Sequence, residues 1–457
     1  MRYEDFDLFI EPFGKRYKAR VLNSPAGQAR NEFSLPFRQA ELEKLVQTLD
    51  EYRRYARPMN ALQYPPAKDA VKDFGSKLFQ TIFRNEMLSC LRRSIDLAVQ
   101  RGGGLRLRLR LTEAPELANI PWEYLHLPSL NRFFALSTET PIVRYLDLPE
   151  RIQSLEVKPP IKILAMLSSP FGYPPLDVEH EWENLRQALS DLEKRGLVVI
   201  ERLPEATLNA LQRQLRRNEY HIFHFIGHGI FDEQTQEYGL VLEDENSQSR
   251  FVSAQLLGML LHDERTLRLA VLNACEGARH LHTDPFAGTA QRLVQQGIPA
   301  VIAMQFEITD EAAITFAREF YSAVADGHPV DAALAEARKG IYAQGNEVEW
   351  ATPVLYMRSP DGMIFDFAAA RDNIKLPAPN ATASTPIATE RRRLEQKLEA
   401  LRSEYDLRRE KAKRIRAALA IETDVAVKFK LEQQLQIEEA ELTRLDQQIN
   451  EIEQKLK

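Results

Sequence analysis

Residues 221–229 read His-Ile-Phe-His-Phe-Ile-Gly-His-Gly. Residues 221–226, largely apolar and followed by glycine, have the length of a buried strand rather than of a helix. Directly past its carboxyl end stands His228, held between two glycines on a loop. A second run, 267–272, has the same character and leads into Asn273-Ala274-Cys275-Glu276-Gly277. Working outward, apolar strands recur at 161–167, 197–200, 300–304 and 353–356. Helical patterns separate them: from Asp177 to Gly196, over 205–217, over 253–261, after Pro285, and on through Tyr342. A short hairpin surrounds 238–242. Strands that are apolar throughout and alternate with helices predict an α/β fold, a mostly parallel sheet flanked by helices on both faces. In such sheets sites collect at the carboxyl ends of strands, where His228 and Cys275 both fall.

The chain has 457 residues, which at roughly 150 per domain predicts about three units. Hydrophobic residues make up 44% and charged residues 28%, an ordinary globular balance. A net charge of −6 offers no global attraction to nucleic acid or anionic membrane. The composition contains no apolar run near the ~18 residues of a membrane helix. The N-terminus lacks the apolar core of a signal peptide. Two cysteines exclude a disulfide scaffold and suit a reducing, cytoplasmic compartment.

Four segments follow from the composition. Residues 1–158 form an N-terminal α/β region that opens irregularly, carries a helical pattern over 75–100, and then a strict apolar/Arg alternation over 105–111. That alternation predicts a strand with a solvated arginine face. Short strands are expected over 133–137 and 142–145, those of 130–158 extending the main sheet. Residues 159–369 are the α/β core. Residues 370–388, with three prolines among Asn, Ala, Ser and Thr, have linker composition. Residues 389–457 lack Gly and Pro and step their leucines by four and three, as a coiled coil does. The pattern breaks at Glu422-Thr423-Asp424, which predicts an antiparallel helical hairpin. Residues 390–416 hold eleven basic and six acidic side chains; residues 422–457 hold five and nine. Opposite charge favours pairing of the two arms, within one chain or between chains.

Cys275 and His228 are the residue types of a nucleophile and its base, although a free cysteine can equally be a small buried hydrophobe. A thiol of ordinary pKa, about 8.5, is little ionised at neutral pH. An imidazole beside it accepts the proton and later delivers it to a leaving amine. The glycines around His228 allow close backbone approach, and the N–H groups of Gly229 and Cys275 are the candidate oxyanion donors. His221, His224 and Cys90 read as core or supporting residues. His280 and His282 lie on the loop after Cys275, in a spacing that matches no standard zinc site. No metal and no cofactor is expected.

The run H-I-F-H-F-I-G-H-G from His221, N-A-C-E-G-A-R from Asn273, D-P-F-A-G from Asp284, G-I-P-A-V-I-A-M-Q-F from Gly297, D-E-A-A from Asp310 and T-P-V-L-Y-M-R from Thr352 together resemble a CHAT domain, one of the caspase-like cysteine peptidases grouped with separase and the gingipains. The segment I-P-W-E-Y-L from Ile120 is similar to one that precedes such cores. The histidine-first order and the 47-residue interval from His228 to Cys275 match caspases, where about 50 residues separate the pair; the papain order is excluded. The resemblance implies that His228 and Cys275 are the catalytic dyad. It also implies that Asn273, two residues before the cysteine, helps line the pocket for the residue preceding the scissile bond. Relatives that cut after basic residues often carry Asp there; Asn273 is neutral, so a basic preference does not carry over. Glu276 and Asp284 are further candidates for substrate binding.

The tail resembles, more loosely, the effector-associated coiled-coil tails of bacterial conflict systems. The expectation is therefore a regulated cysteine endopeptidase that cleaves a specific protein partner in antiphage defence or programmed cell death, recruited or self-associated through 389–457. The alternative is an inactive CHAT scaffold that assembles a signalling complex. The basic stripe of the tail is interleaved with acids and lacks stacking aromatics, which argues against nucleic acid.

Overall fold

The structure is a computed structural model. It describes residues 2–55, 67–149, 152–274 and 285–367, with scattered residues between 405 and 449. The chain divides into two compact units, Met1–Asn373 and Ile374–Lys457. Among the described residues the larger strands are β1 (Tyr3–Phe13), β2 (Arg16–Asn23), β3 (Arg30–Phe33), β4 (Gly104–Arg110), β5 (Ile142–Tyr145), β6 (Ile161–Leu167), β7 (Val198–Arg202), β8 (Ile222–Asp232), β9 (Glu237–Glu243), β10 (Ser249–Ser253), β11 (Leu269–Ala274), β12 (Ala300–Met304) and β13 (Pro353–Met357). The helices are α1 (Gln39–Tyr55), α2 (Ala67–Ile82), α3 (Asn85–Gln100), α4 (Val178–Lys194), α5 (Leu208–Arg217), α6 (Ala254–His262), α7 (Pro285–Gln295), α8 (Asp310–Ala325) and α9 (Val330–Ala343).

All thirteen strands belong to one sheet. Its order is β7-β6-β8-β11-β12-β13-β5-β4-β1-β2-β3, with β9 and β10 folding out from β8 as a meander. Pairing is parallel from β7 to β12; β13 is antiparallel to β12, and the sheet continues in parallel through β5, β4 and β1. The fold is thus α/β with a large, mostly parallel sheet flanked by helices. The central strands are apolar along their whole length because both faces are covered: every residue of β12 and of β13 is buried. Helices α4 and α8 pack together, α9 packs on α8, and α6 packs on α7.

The N-terminal region departs from expectation in four places. The chain opens on strands, not irregular coil: β1 and β2 form a hairpin around Gly14, whose φ of +63° suits glycine. The helical pattern over 75–100 is two helices. Arg84 is extended and Asn85 has φ +46°, which stops the helical ladder between them. Residues 133–137 are not a strand; Arg132–Phe133 makes a two-residue bridge with His126–Leu127, and Phe134–Leu136 turns into a 3-10 helix.

The arginines of β4 are the fourth departure. Arg106 and Arg108 are buried, as are Leu105, Leu107 and Leu109 between them. The reason is position. β4 lies inside the sheet between β5 and β1, so both its faces are covered. The parallel register sets Asp5 beside Arg106 and Asp7 beside Arg108. Arg106 pairs with Asp331 of α9 at 2.5 Å and Asp5 at 3.3 Å, and donates to the carbonyls of Pro360 and Asp361. Arg108 pairs with Asp5 at 2.8 Å. Buried charge persists only where it is paired and hydrogen-bonded, and these charges are.

The I-P-W-E-Y segment is a second buried knot. Glu123 accepts from Arg144 of β5 and from Gln305, each at 3.0 Å, while the Tyr124 hydroxyl donates to the carbonyl of Val348 at 2.8 Å. The segment thereby joins the edge of the core to the strand that extends it. A Cβ on Gly75 of α2 would lie 1.8 Å from the Tyr124 carbonyl oxygen, so this helix reaches its seat only as glycine.

In the second unit the described residues between 405 and 449 are helical. Arg416, on the basic stretch, pairs with Glu439, on the acidic one, at 2.7 Å. Among the described residues no helix is long and apolar enough to cross a membrane.

Candidate active site

His228 sits where β8 changes partners. Through Ile226 the strand is flanked by β6, and through Gly227 by β11, both parallel. From His228 onward it pairs antiparallel with β9, His228 facing Val241 and Gly229 facing Leu240. The histidine is therefore on a strand, not on the expected loop. Among the described residues the parallel pairing ends at that level, and the hairpin supplies the strand with a partner beyond it.

The flanking glycines are needed by the protein itself. A Cβ on Gly227 would stand 2.8 Å from the Phe225 ring and 3.0 Å from the Ser168 carbonyl. One on Gly229 would stand 3.0 Å from the ring of Phe286, in the first turn of α7. A Cβ on Gly288 would meet the Tyr238 ring at 2.2 Å. The D-P-F-A-G motif is thus a packing device: Phe286 under Gly229 and Gly288 against Tyr238 seat α7 on the hairpin that holds His228.

Sequence reasoning missed the loop after β6. It reads Ser-Ser-Pro-Phe-Gly-Tyr-Pro over 168–174, and its aromatics and prolines at the carboxyl end of a parallel strand were the available signal. It is pinned to β9 and to its own far end. The Ser168 hydroxyl donates to the Val241 carbonyl at 2.9 Å, the Ser169 N–H to Glu243 at 3.1 Å, and the Leu176 N–H to the Ser169 hydroxyl at 2.9 Å. So held, the loop presents two groups to His228. The Tyr173 ring lies 5.3 Å from the imidazole, centre to centre, and the Pro174 carbonyl oxygen lies 3.0 Å from Nε2. A carbonyl can only accept, so Nε2 carries the hydrogen and Nδ1 is the basic nitrogen of the neutral ring.

Asn273, at the end of β11, is buried, and its register neighbour is Ile226. Ala274, the next residue, pairs with Gly227. Cys275, Glu276 and Asp284 lie outside the described residues, as do His280 and His282. The structure thus brings His228, Gly229 and Asn273 together at the carboxyl edge of β8 and β11.

His221 and His224 are each held by a neighbouring group. His224 is buried, its Nδ1 2.6 Å from the Tyr321 hydroxyl, and burial pulls its pKa down to about 3. His221 accepts the Lys162 N–H at 3.0 Å. Cys90 is buried beside Ser24.

A CHAT-domain family model matches residues 72–374, two thirds of the sequence. The chain belongs to the CHAT domain family. No curated protein matches it. Among solved structures it is similar to the Saccharomyces cerevisiae separase–securin complex, at 16% identity over 70% of this chain and 22% of the other, with a TM-score of 0.32. It is also similar to the Arg-specific cysteine proteinase gingipain R, at 12% identity over 69% and 76% of the two chains and a TM-score of 0.38. The complex of Porphyromonas gingivalis RgpB pro- and mature domains aligns at 11% identity over 72% and 78%, with a TM-score of 0.36. The chain spans less than a quarter of the matched separase–securin chain. Likenesses of this size say nothing of activity.

Proposed function

We propose that the chain is a cysteine endopeptidase in which Cys275 is the nucleophile and His228 its base. The carrying observation is the hold on His228: Nε2 on the Pro174 carbonyl leaves Nδ1 as the basic nitrogen. That histidine is the residue after Gly227, and Cys275 is the residue after Ala274, the register partner of Gly227. In the proposed reaction the Cys275 thiol gives its proton to Nδ1, and the thiolate attacks the scissile carbonyl carbon. The N–H groups of Gly229 and Cys275 receive the oxyanion. The carbon–nitrogen bond then breaks, and the imidazolium protonates the departing amine. Water, losing its proton to His228, attacks the thioester; its collapse frees the carboxylate and restores the thiol.

Membership of the CHAT family supports this reading. The substrate is a specific protein, and the setting is regulated proteolysis in antiphage defence or programmed cell death. Residues 389–457 recruit a partner or a second copy; the Arg416–Glu439 pair supports the expected matching of a basic arm with an acidic one.

The test is co-expression of wild type and Cys275→Ala with the proteins encoded beside this one, followed by intact mass and N-terminal sequencing of fragments. A cut made only by the wild type is expected, and it should vanish in cells, with the core still folded, when 389–457 is deleted. Identical fragments, or none, from both forms would instead favour the scaffold.

A further inference from the structure

The molecule carries a small pocket two residues down β8 from His228, mostly apolar in its lining but with a few polar groups. It opens between α4 and α8 over the strands. Asn184 of α4, His224 and Ile226 of β8, Asn273 of β11 and Phe316 of α8 line it. Side chains two apart on a strand share a face, so Ile226 on the wall and His228 above it are successive residues of one row.

Three polar atoms of this lining have no hydrogen-bond partner: Nδ2 of half-buried Asn184, Nε2 of His224 and Oδ1 of Asn273. His224 is 2% exposed and Asn273 6%. Buried polar atoms in folded proteins nearly always find partners, so three orphans around one pocket mark a place for a polar occupant. The set carries no charge. The amides are neutral, and burial keeps His224 uncharged at any physiological pH. Glu181, one turn earlier on α4, is the acid of the lining and is half-exposed.

We propose that this pocket receives a primary amide side chain, so that the enzyme cuts after glutamine or asparagine. The inference rests on the peptidase reading above and names its substrate class. A carboxamide both donates and accepts. Its oxygen takes the Asn184 N–H, its NH₂ gives to Asn273 Oδ1, and His224 Nε2 serves whichever group remains. A carboxylate has no hydrogen for Asn273 and meets no cation here. A lysine or arginine has no acceptor for Asn184, and an aliphatic side chain leaves all three atoms unpaired.

The experiment treats the full chain with peptidyl acyloxymethyl ketones that differ only in the last residue: Gln, Asn, Leu, Lys, Arg or Asp. Labelling of Cys275 is followed by mass. The Gln or Asn probe should react at least about tenfold faster than the others, since a site built for hydrogen bonds rejects groups that cannot make them. Asn184→Leu should shift the preference toward the Leu probe. Fastest labelling by Lys or Arg, which would give Glu181 the deciding role, or by Leu or Asp, overturns the amide pocket and leaves the peptidase reading standing. No labelling of Cys275 by any probe, while iodoacetamide still alkylates it, overturns both.

Discussion

The Pro174 carbonyl oxygen lies 3.0 Å from Nε2 of His228. This one contact settles which imidazole nitrogen is basic, and it is supplied by a loop that hangs from β6 and is tied to β9. The position of the proposed base therefore depends on hydrogen bonds that never touch it.

Glu243 is the clearest handle on that dependence. It accepts the Ser169 N–H and holds the start of the loop. Glu243→Ala should lower kcat about tenfold with little change in KM, because misplacing a reacting group by a fraction of an ångström carries such a penalty. Glu243→Gln, which keeps an acceptor, should recover most of the loss. Steady-state kinetics on a cleaved peptide separates this positioning role from a loss of folded protein, which would lower the amplitude for both variants alike.

The arginine layer of β4 bears on stability. Arg106→Met leaves buried Asp331 without its 2.5 Å partner, and an uncompensated buried charge destabilises by about 3–5 kcal/mol. Denaturant unfolding should show a lower midpoint with the slope unchanged, their product giving a loss of that size. Arg106→Lys should rescue only part of it, because an ammonium does not span Asp5, Asp331 and the carbonyls of Pro360 and Asp361. A methionine variant as stable as wild type would remove the layer from the account.

Glycine 288 tests the seating of α7. A methyl group there would lie 2.2 Å from the Tyr238 ring, well inside contact distance. Gly288→Ala should destabilise by about 1–3 kcal/mol and lower the melting temperature, even though alanine is the better helix former. A rise in melting temperature would show that the ring yields freely.

His224 predicts an acid sensitivity of definite sign. Its folded pKa is pulled by burial to about 3, below the ordinary value of about 6.5. Between those limits the unfolded chain binds a proton that the folded chain refuses. Stability is complete above pH 6.5 and falls with declining pH, by up to about 1.4 kcal/mol per pH unit. His224→Gln should flatten the dependence across this window in unfolding experiments at stepped pH. An unaltered slope would assign the acid sensitivity to other groups.

The sequence was legible where the information is local. The strands of the core are read from short apolar runs, and the place of Asn273 from the end of one of them. What escaped it is set by distant partners. Nothing local to 105–110 announces that its arginines are buried, since Asp5 and Asp331 lie 101 and 225 residues away in the chain. Nor does Gly-His-Gly announce a strand, because its continuation exists only through pairing with 237–243. The two aspartates of β1 are the partners of the β4 arginines, across about a hundred residues of chain. The loop over 168–174 reads as ordinary punctuation until Pro174 is seen against His228.

The central claim is that His228 activates Cys275, and the reaction of that cysteine with iodoacetamide as a function of pH tests it most directly. Peptide mapping separates Cys275 from buried Cys90. In the wild type the rate should hold at pH values well below 8.5, the ordinary thiol value, because the thiolate is paired with the imidazolium. In His228→Ala the inflection should return to about 8.5. The same pH profile in both proteins would contradict the account.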